Sequence, residues 1–205
     1  MQIIDVQQRS VQWGKLHLGR PTASGFGNLM DTKFEPRDGE MPKTYLYKRL
    51  AEKLTGEMLP GFAGNWNTES GTILEEEARP FFELTYGLDV REVGFIIGDD
   101  GRCGCSPDGL IGDDAGLEIK CPLAETHLKY LDAGKVPNEY LAQVHGSLFV
   151  TGLKEWHFLS YYRGLEPLHV VVPREEAIMA KIAAALAGFY QKFDAALARL
   201  TKPNT

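Results

Sequence analysis

Asp108, Glu118 and Lys120 are the residues of this 205-residue chain whose types and spacing could do chemistry. They lie in SPDGLIGDDAGLEIKCP, residues 106–122, with the lysine two residues after the glutamate. Side chains alternate across a strand, so in LEIKC the residues Leu117, Ile119 and Cys121 share one face, and Glu118 and Lys120 the other. The apolar set marks the buried face. A hairpin centred near Asp113 sets Asp108 opposite Glu118, where facing Cβ atoms stand about 4.5–5.5 Å apart. Two carboxylates that close are unfavourable without a proton or a cation between them. Mg²⁺ suits the position: a hard ion that one or two carboxylates hold while it keeps waters for a substrate phosphate. On a solvated sheet face the same residues would form only a cross-strand ion-pair patch. Pro107 argues against that, because it cannot donate to a ladder and belongs at an edge or a bulge. SPDG therefore reads as an irregular strand end that aims Asp108 out of regular pairing, while Asp113 and Asp114 read as turn residues.

The charge pattern points to the same stretch. A net charge of −6 is not that of a typical nucleic-acid binder. Residues 1–60 carry nine basic and seven acidic side chains, residues 61–120 four and thirteen, and residues 121–205 nine and eight. The acidity is thus concentrated in the middle third, and clustered carboxylates suit a divalent cation. Most of the acids in EEEARPFFE read as the solvated face of a helix. Cys103, Cys105 and Cys121 are an odd set of three, short of both a disulfide framework and a four-ligand zinc pattern. They are expected as small half-buried residues in a reducing compartment. No apolar run reaches the ~18 residues of a membrane span, and MQIIDVQQRSVQWGK does not read as a secretory signal.

The elements that must position these residues follow from periodicity. One domain over residues 1–205 is expected. TASGFGNLM reads as a helix start with Thr22 or Ser24 as cap, and MPKTYLYKRLAEKLTG as a helix with Tyr45, Leu46, Leu50 and Leu54 at helical spacing. NTESGTILEEEARPFFELTYG is a further helix that Pro80 should kink or divide. VREVGFIIG, CGCSPDGLI and GLEIKCP read as strands, LAETHLKYLDAG and PNEYLAQVHGSLFVTG as helices, EWHFLSYY and LHVVVP as strands, and residues 174–200 as a long amphipathic helix. This order predicts an α/β or α+β domain around one central mixed sheet.

Asp108 followed by Glu118-x-Lys120 resembles the PD-(D/E)XK nucleases. The longer string CSPDGLIGDDAGLEIKCP is similar to their YqaJ-type viral-recombinase branch, the phage lambda exonuclease family. WGKLHLGRPTAS, GTILEEEAR and YLAQVHGSLFVTG resemble three further blocks of that branch in the same order, from about Trp13 to Thr151. The resemblance implies a restriction-endonuclease-like α/β fold, a central mixed sheet flanked by helices. It implies a Mg²⁺-dependent exonuclease, with Mn²⁺ able to substitute and one or two ions per site. Such an enzyme digests the 5′-ended strand of linear double-stranded DNA to mononucleotides and leaves a 3′ overhang for recombination. It further implies a ring-shaped homotrimer, a single-strand annealing protein as partner, and a cytoplasmic, phage- or prophage-encoded setting.

Carried onto this sequence, Asp108, Glu118 and the Ile119 backbone carbonyl bind the metal, and Lys120 activates the attacking water or offsets charge on the phosphate. Glu75 joins the metal site directly or through water, and Gln143 orients the lysine, the water or the terminal phosphate. Thr22, Ser24 and Ser106 are candidates for gripping a 5′-phosphate. A phage member of the family carries an arginine where this chain has His17, with Arg20 three residues later; either Arg20 or protonated His17 would have to serve. His145, His157 and His169 receive no role. Candidates to face DNA are Lys48, Arg49, Lys53, Lys129 and Lys135. The alternatives are an endonuclease or resolvase on the same fold, or a nuclease-like module that only binds.

Overall fold

The computed structural model describes residues 1–59 and 69–201. In chain order the elements are β1 (Gln2–Ile4), α1 (Val11–His17), a 3₁₀ turn (Ala23–Asn28), α2 (Glu40–Thr55), α3 (Glu69–Tyr86), β2 (Val90–Arg91) and β3 (Phe95–Ile97). There follow β4 (Gly104–Cys105), β5 (Gly109–Ile111), β6 (Ala115–Lys120), α4 (Ala124–Ala133), α5 (Asn138–Thr151), β7 (Glu155–Ser160), β8 (Leu168–Pro173) and α6 (Glu176–Leu200). A five-stranded sheet runs β2-β5-β6-β7-β8, parallel between β6 and β7 and antiparallel elsewhere. This is the expected mixed sheet, flanked by helices. A second, three-stranded antiparallel sheet β1-β3-β4 stands beside it, which the periodicity did not foretell.

Both faces of the larger sheet are covered. Leu117 and Ile119 of β6 join Leu159 of β7 in packing on Ala78 and Phe82 of α3. Trp156 and Phe158 point the other way, into a core shared with Val144 and Leu148 of α5 and Ile182 and Phe189 of α6. Gly116 pairs with Trp156, and a Cβ there would sit 2.3 Å from the indole ring, so only glycine lets the two strands close at this point. Glu118 pairs with Phe158 and shares its face, so it lies against α5, only 3% exposed. The alternative of a solvated face for Glu118 fails, because a parallel pair at the centre of a sheet is covered on both sides.

Several helix details differ from expectation for local reasons. The segment beginning at Thr22 makes only a 3₁₀ turn, and Thr22 at its start makes no side-chain cap bond. Tyr45 and Leu50 bury the inner face of α2, and Gly56 ends it in the left-handed conformation, but Leu54 is exposed. The helix α3 runs unbroken through Pro80. Pro80 and Glu76 both face solvent, so the Glu76 carbonyl that loses its partner can bond water instead. The expected start of this helix at Asn67 lies outside the described residues. The three cysteines are free, Cys103 and Cys105 buried and Cys121 half-buried. Among the described residues no helix is long and apolar enough to cross a membrane.

Candidate active site

The predicted strands VREVGFIIG and CGCSPDGLI each split in two, and the split builds the site. On one side of the break β2 pairs β5, and on the other β3 pairs β4, with the same register carried through from one sheet to the other. At the break lie Glu92–Gly94 on one strand and Ser106–Asp108 on the other. Pro107 has no N–H to bridge it. Side chains from the N-terminal segment do so instead. The Gln8 amide donates to the carbonyls of Val93 and Pro107, both at 2.9 Å. The Trp13 indole N–H donates to Gly94 O at 3.1 Å and Ser106 Oγ at 2.9 Å.

Released from the ladder, Asp108 turns toward β6. The hairpin register pairs Gly109 with Leu117, and the Asp108 N–H also donates to the Leu117 carbonyl, at 3.0 Å. Two residues facing one is a bulge, so Asp108 is displaced from a position squarely opposite Glu118. Its Oδ2 instead accepts the Ile119 N–H at 2.6 Å. Tyr161 donates to the Lys120 carbonyl, which therefore points to β7. Carbonyls alternate along a strand, so that of Ile119 points to the side from which Asp108 approaches.

Glu118 is the centre of the cluster. Its Oε1 accepts from both Lys120 Nζ and Gln143 Nε2. Its Oε2 is buried with no partner among the described residues. Burial pushes the Glu118 carboxyl up to about 7, with Lys120 opposing and Asp108 and Glu75 adding to the rise. Asp108 is likewise raised by burial, against the pull of Lys120 and the Ile119 N–H. Glu75 is raised by burial and by Asp108, against Arg9. Burial alone would lower Lys120, but Glu118 and Asp108 outweigh it and raise it. The Lys120 ammonium also lies 5.2 Å from the centre of the Tyr140 ring. Lys120, half-buried, and Arg9 together leave the three carboxylates one negative charge in surplus, which a divalent ion would relieve.

The residues fit such an ion. Among the described residues no group of three or more His, Cys, Asp or Glu side chains is placed to hold a metal ion. Mg²⁺ needs no such group, since it binds through one or two carboxylates and retains its waters. The buried, unpartnered Oε2 of Glu118 is an oxygen ligand in waiting. Asp108, Glu75 and the Ile119 carbonyl are the neighbours that could complete the site around it.

A cleft of about 650 Å³ gathers these groups. Asp108, Glu118, Lys120, Glu75 and Gln143 line it together with His17, Thr22, Ser24 and Ser106. Thr22 and Ser24 hydroxyls lie 3.3 Å apart. Arg20 does not line the cleft; it bonds the Leu16 carbonyl and lies over Phe95. His17 is buried between Trp13 and Phe95, its Nδ1 on the Trp13 carbonyl. Burial lowers it to about 4, so near neutral pH the ring is uncharged and Nδ1 carries its proton. Burial between Trp13 and Phe95 thus works against the protonated His17 weighed from the sequence. Arg49 is no DNA-facing cation either. It is 2% exposed and pairs with the equally buried Glu52 at 2.7 Å, with its guanidinium over Tyr45.

Sequence reasoning missed Gln8, Arg9, Trp13 and Tyr140 as members of this cleft. Arg9 donates to Glu75 Oε2 at 2.6 Å and has a left-handed backbone, φ 65°. The one local signal was Ser10, a serine whose side chain caps α1 at the Trp13 N–H and so fixes where the segment turns.

Comparison with known proteins agrees with this geometry. Residues 12–154 match the YqaJ-like viral recombinase domain. The chain is similar to an alkaline exonuclease from Laribacter hongkongensis, with 29% identity, a TM-score of 0.83, and coverage of 93% of this chain and 96% of the other. The structure of that exonuclease in complex with dAMP gives the same figures. A phage-related exonuclease from Haemophilus somnus 129PT is similar in fold, with 15% identity, a TM-score of 0.67, and coverage of 89% and 96%. No curated protein matches the chain.

Proposed function

Because the chain belongs to the YqaJ-like viral recombinase domain family, we propose that it is a Mg²⁺-dependent exonuclease of linear double-stranded DNA. In this reading it digests the 5′-ended strand to mononucleotides and leaves a 3′ single-stranded overhang for recombination. One observation carries the proposal: Asp108, Glu118, Lys120, Glu75 and Gln143 meet in a single cleft, with a buried Glu118 oxygen that has no partner among the described residues. The likeness to an exonuclease solved with dAMP supports a mononucleotide product.

The chain's own groups divide the work. Asp108 and Glu118 hold the ion, with Glu75 and the Ile119 carbonyl as further ligands. Bound there, one or two divalent ions, Mg²⁺ or in its place Mn²⁺, offset charge on the phosphate and ease loss of a proton from water. Lys120, kept charged by its two acidic neighbours, places a positive charge where the phosphate oxygens gain negative charge. Gln143 donates to the same Glu118 oxygen as Lys120, and so holds the carboxylate and keeps the lysine aligned. Thr22, Ser24 and Ser106 offer hydroxyls to a terminal phosphate. A ring-shaped trimer around the duplex, a single-strand annealing partner and a cytoplasmic, phage-encoded setting belong to the same reading.

Digestion of duplexes labelled at the 5′ or the 3′ end, with and without Mg²⁺ and a 5′-phosphate, tests it. Mg²⁺-dependent release of labelled mononucleotide from 5′ ends, faster with the phosphate, is the expected result. Efficient cutting of closed circles would favour an endonuclease, and release from 3′ ends would reverse the polarity.

A further inference from the structure

Arg9 stands where two clefts meet. It lines the one just described and a second of about 850 Å³, which shares Gln8, Arg9, Glu75 and Asp108 with the first. Its placement is firm on both sides. The Gln8 side chain is bonded to Val93 and Pro107, and Ser10 caps α1. Between them Arg9 adopts φ 65°, a conformation disfavoured for any residue with a Cβ. Its guanidinium reaches Glu75 at 2.6 Å, yet its side chain remains 39% exposed and Glu75 36%, so a ligand can reach both.

The charges around it do not suit DNA as they stand. The first cleft is lined by Glu75, Asp108, Glu118 and Glu139 against Arg9 and Lys120, and Lys120 is bonded to Glu118. A divalent ion on the acids reverses that balance and gives Glu75 a stronger partner than Arg9. A guanidinium presents the same planar fork to a carboxylate and to a phosphate. We propose that Arg9 is a two-state contact, which neutralises Glu75 while the acids lack a divalent ion and passes to a DNA backbone phosphate when the ion binds. Metal and DNA then strengthen each other's binding through one side chain, reciprocally. The proposal rests on the nuclease reading above.

Two titrations test it. Calorimetry of Mn²⁺ into the DNA-free protein compares wild type with Arg9→Ala and Arg9→Lys. Fluorescence anisotropy of a 5′-phosphorylated duplex, in a Lys120→Ala background that blocks cleavage, repeats the comparison with and without Mg²⁺ over a range of salt. Arg9→Ala should bind Mn²⁺ several-fold more tightly, because Glu75 is released. It should bind duplex about tenfold more weakly in Mg²⁺, with the salt dependence shallower by about one phosphate contact. Without Mg²⁺ it should match its parent. Arg9→Lys should keep the salt dependence and recover only part of the affinity. The proposal is overturned if Arg9→Ala loses metal and duplex affinity together, or if its salt dependence in Mg²⁺ equals that of its parent. If the Lys120→Ala parent itself fails to bind duplex in Mg²⁺, the nuclease reading falls as well; if the parent binds and Arg9→Ala binds equally, only the role of Arg9 falls.

Discussion

The hairpin from Gly104 to Lys120 and the segment from Asp5 to Ser24 meet at one cleft and are built by different means. The hairpin carries its chemistry by local rules. Strand alternation sets Glu118 beside Lys120, and the turn brings Asp108 to them across a few residues. The N-terminal segment joins the sheet at the site through a single isolated bridge, Thr22 to Gly104. Gln8, Arg9 and Trp13 reach Pro107, Glu75 and Ser106 from far away in sequence. The difference teaches that ligands can be encoded locally, whereas the shell that holds them in place is assembled from distant chain.

The largest effects should come from the hairpin itself. Asp108→Asn and Lys120→Ala should each reduce hydrolysis by roughly a thousandfold or more while duplex binding persists, as measured by single-turnover cleavage and anisotropy. Turnover like the wild type in either variant would break the hairpin side of the comparison. Gln8→Ala comes next, because it strips a donor from two carbonyls at the break. It should cost about 1–3 kcal/mol of stability and weaken Mn²⁺ binding, by denaturant melts and calorimetry. A stability loss with unchanged metal affinity would mean that the segment supports the fold but not Asp108.

Acidity offers a finer distinction, because the two regions respond with opposite sign. Glu118 is raised from 4.5 to about 7, so its contribution to stability is fully present below 4.5 and is lost as pH rises through 7. In the proposed function Mg²⁺ would bind the ionised form. The gain in melting midpoint on adding Mg²⁺ should therefore be largest above pH 7 and fade toward pH 4.5. His17 is lowered from 6.5 to about 4, so its contribution is present above 6.5 and is lost as pH falls through 4. His17→Gln should flatten the acid limb of the metal-free midpoint between those values. An unchanged acid limb would remove His17 from the account. The smallest effect should be at the hairpin turn, where Asp114 pairs with Lys154 in full solvent. Asp114→Asn should leave midpoint and turnover unchanged, and a measurable loss of activity would extend the site into the turn.

The longer helices α2 to α6, the β5–β6 register and the grouping of Asp108, Glu118, Lys120, Glu75 and Gln143 were legible because each follows from periodicity or from ordered motifs, whereas α1 and the 3₁₀ turn at Ala23–Asn28 were not. The division of the strands between two sheets was not, since Gly94 and Pro107 mark a break without saying what fills it. A Cβ at Gly94 would lie 1.9 Å from the Val6 carbonyl, a constraint visible only once the N-terminal segment is in place. The burial of Glu118 and Arg49 escaped for a related reason. Alternation says which side chains share a face, but only packing says what covers it. His17 occupies one of two slots, with Arg20, where charge was expected, and its enclosure by Trp13 and Phe95 disfavours that charge.

The parallel pairing of β6 with β7 carries a consequence for timing. Lys120 and Glu118 precede their neighbouring strand by a complete crossover, α4 and α5, and Gln143 arrives on that crossover. Gln8 and Trp13, made first, must wait for Ser106 and Pro107. A nascent chain that stops short of Ser160 therefore has its acids and its lysine but no finished cleft around them. In the proposed function, cleaving competence therefore waits until the last wall of the site is made.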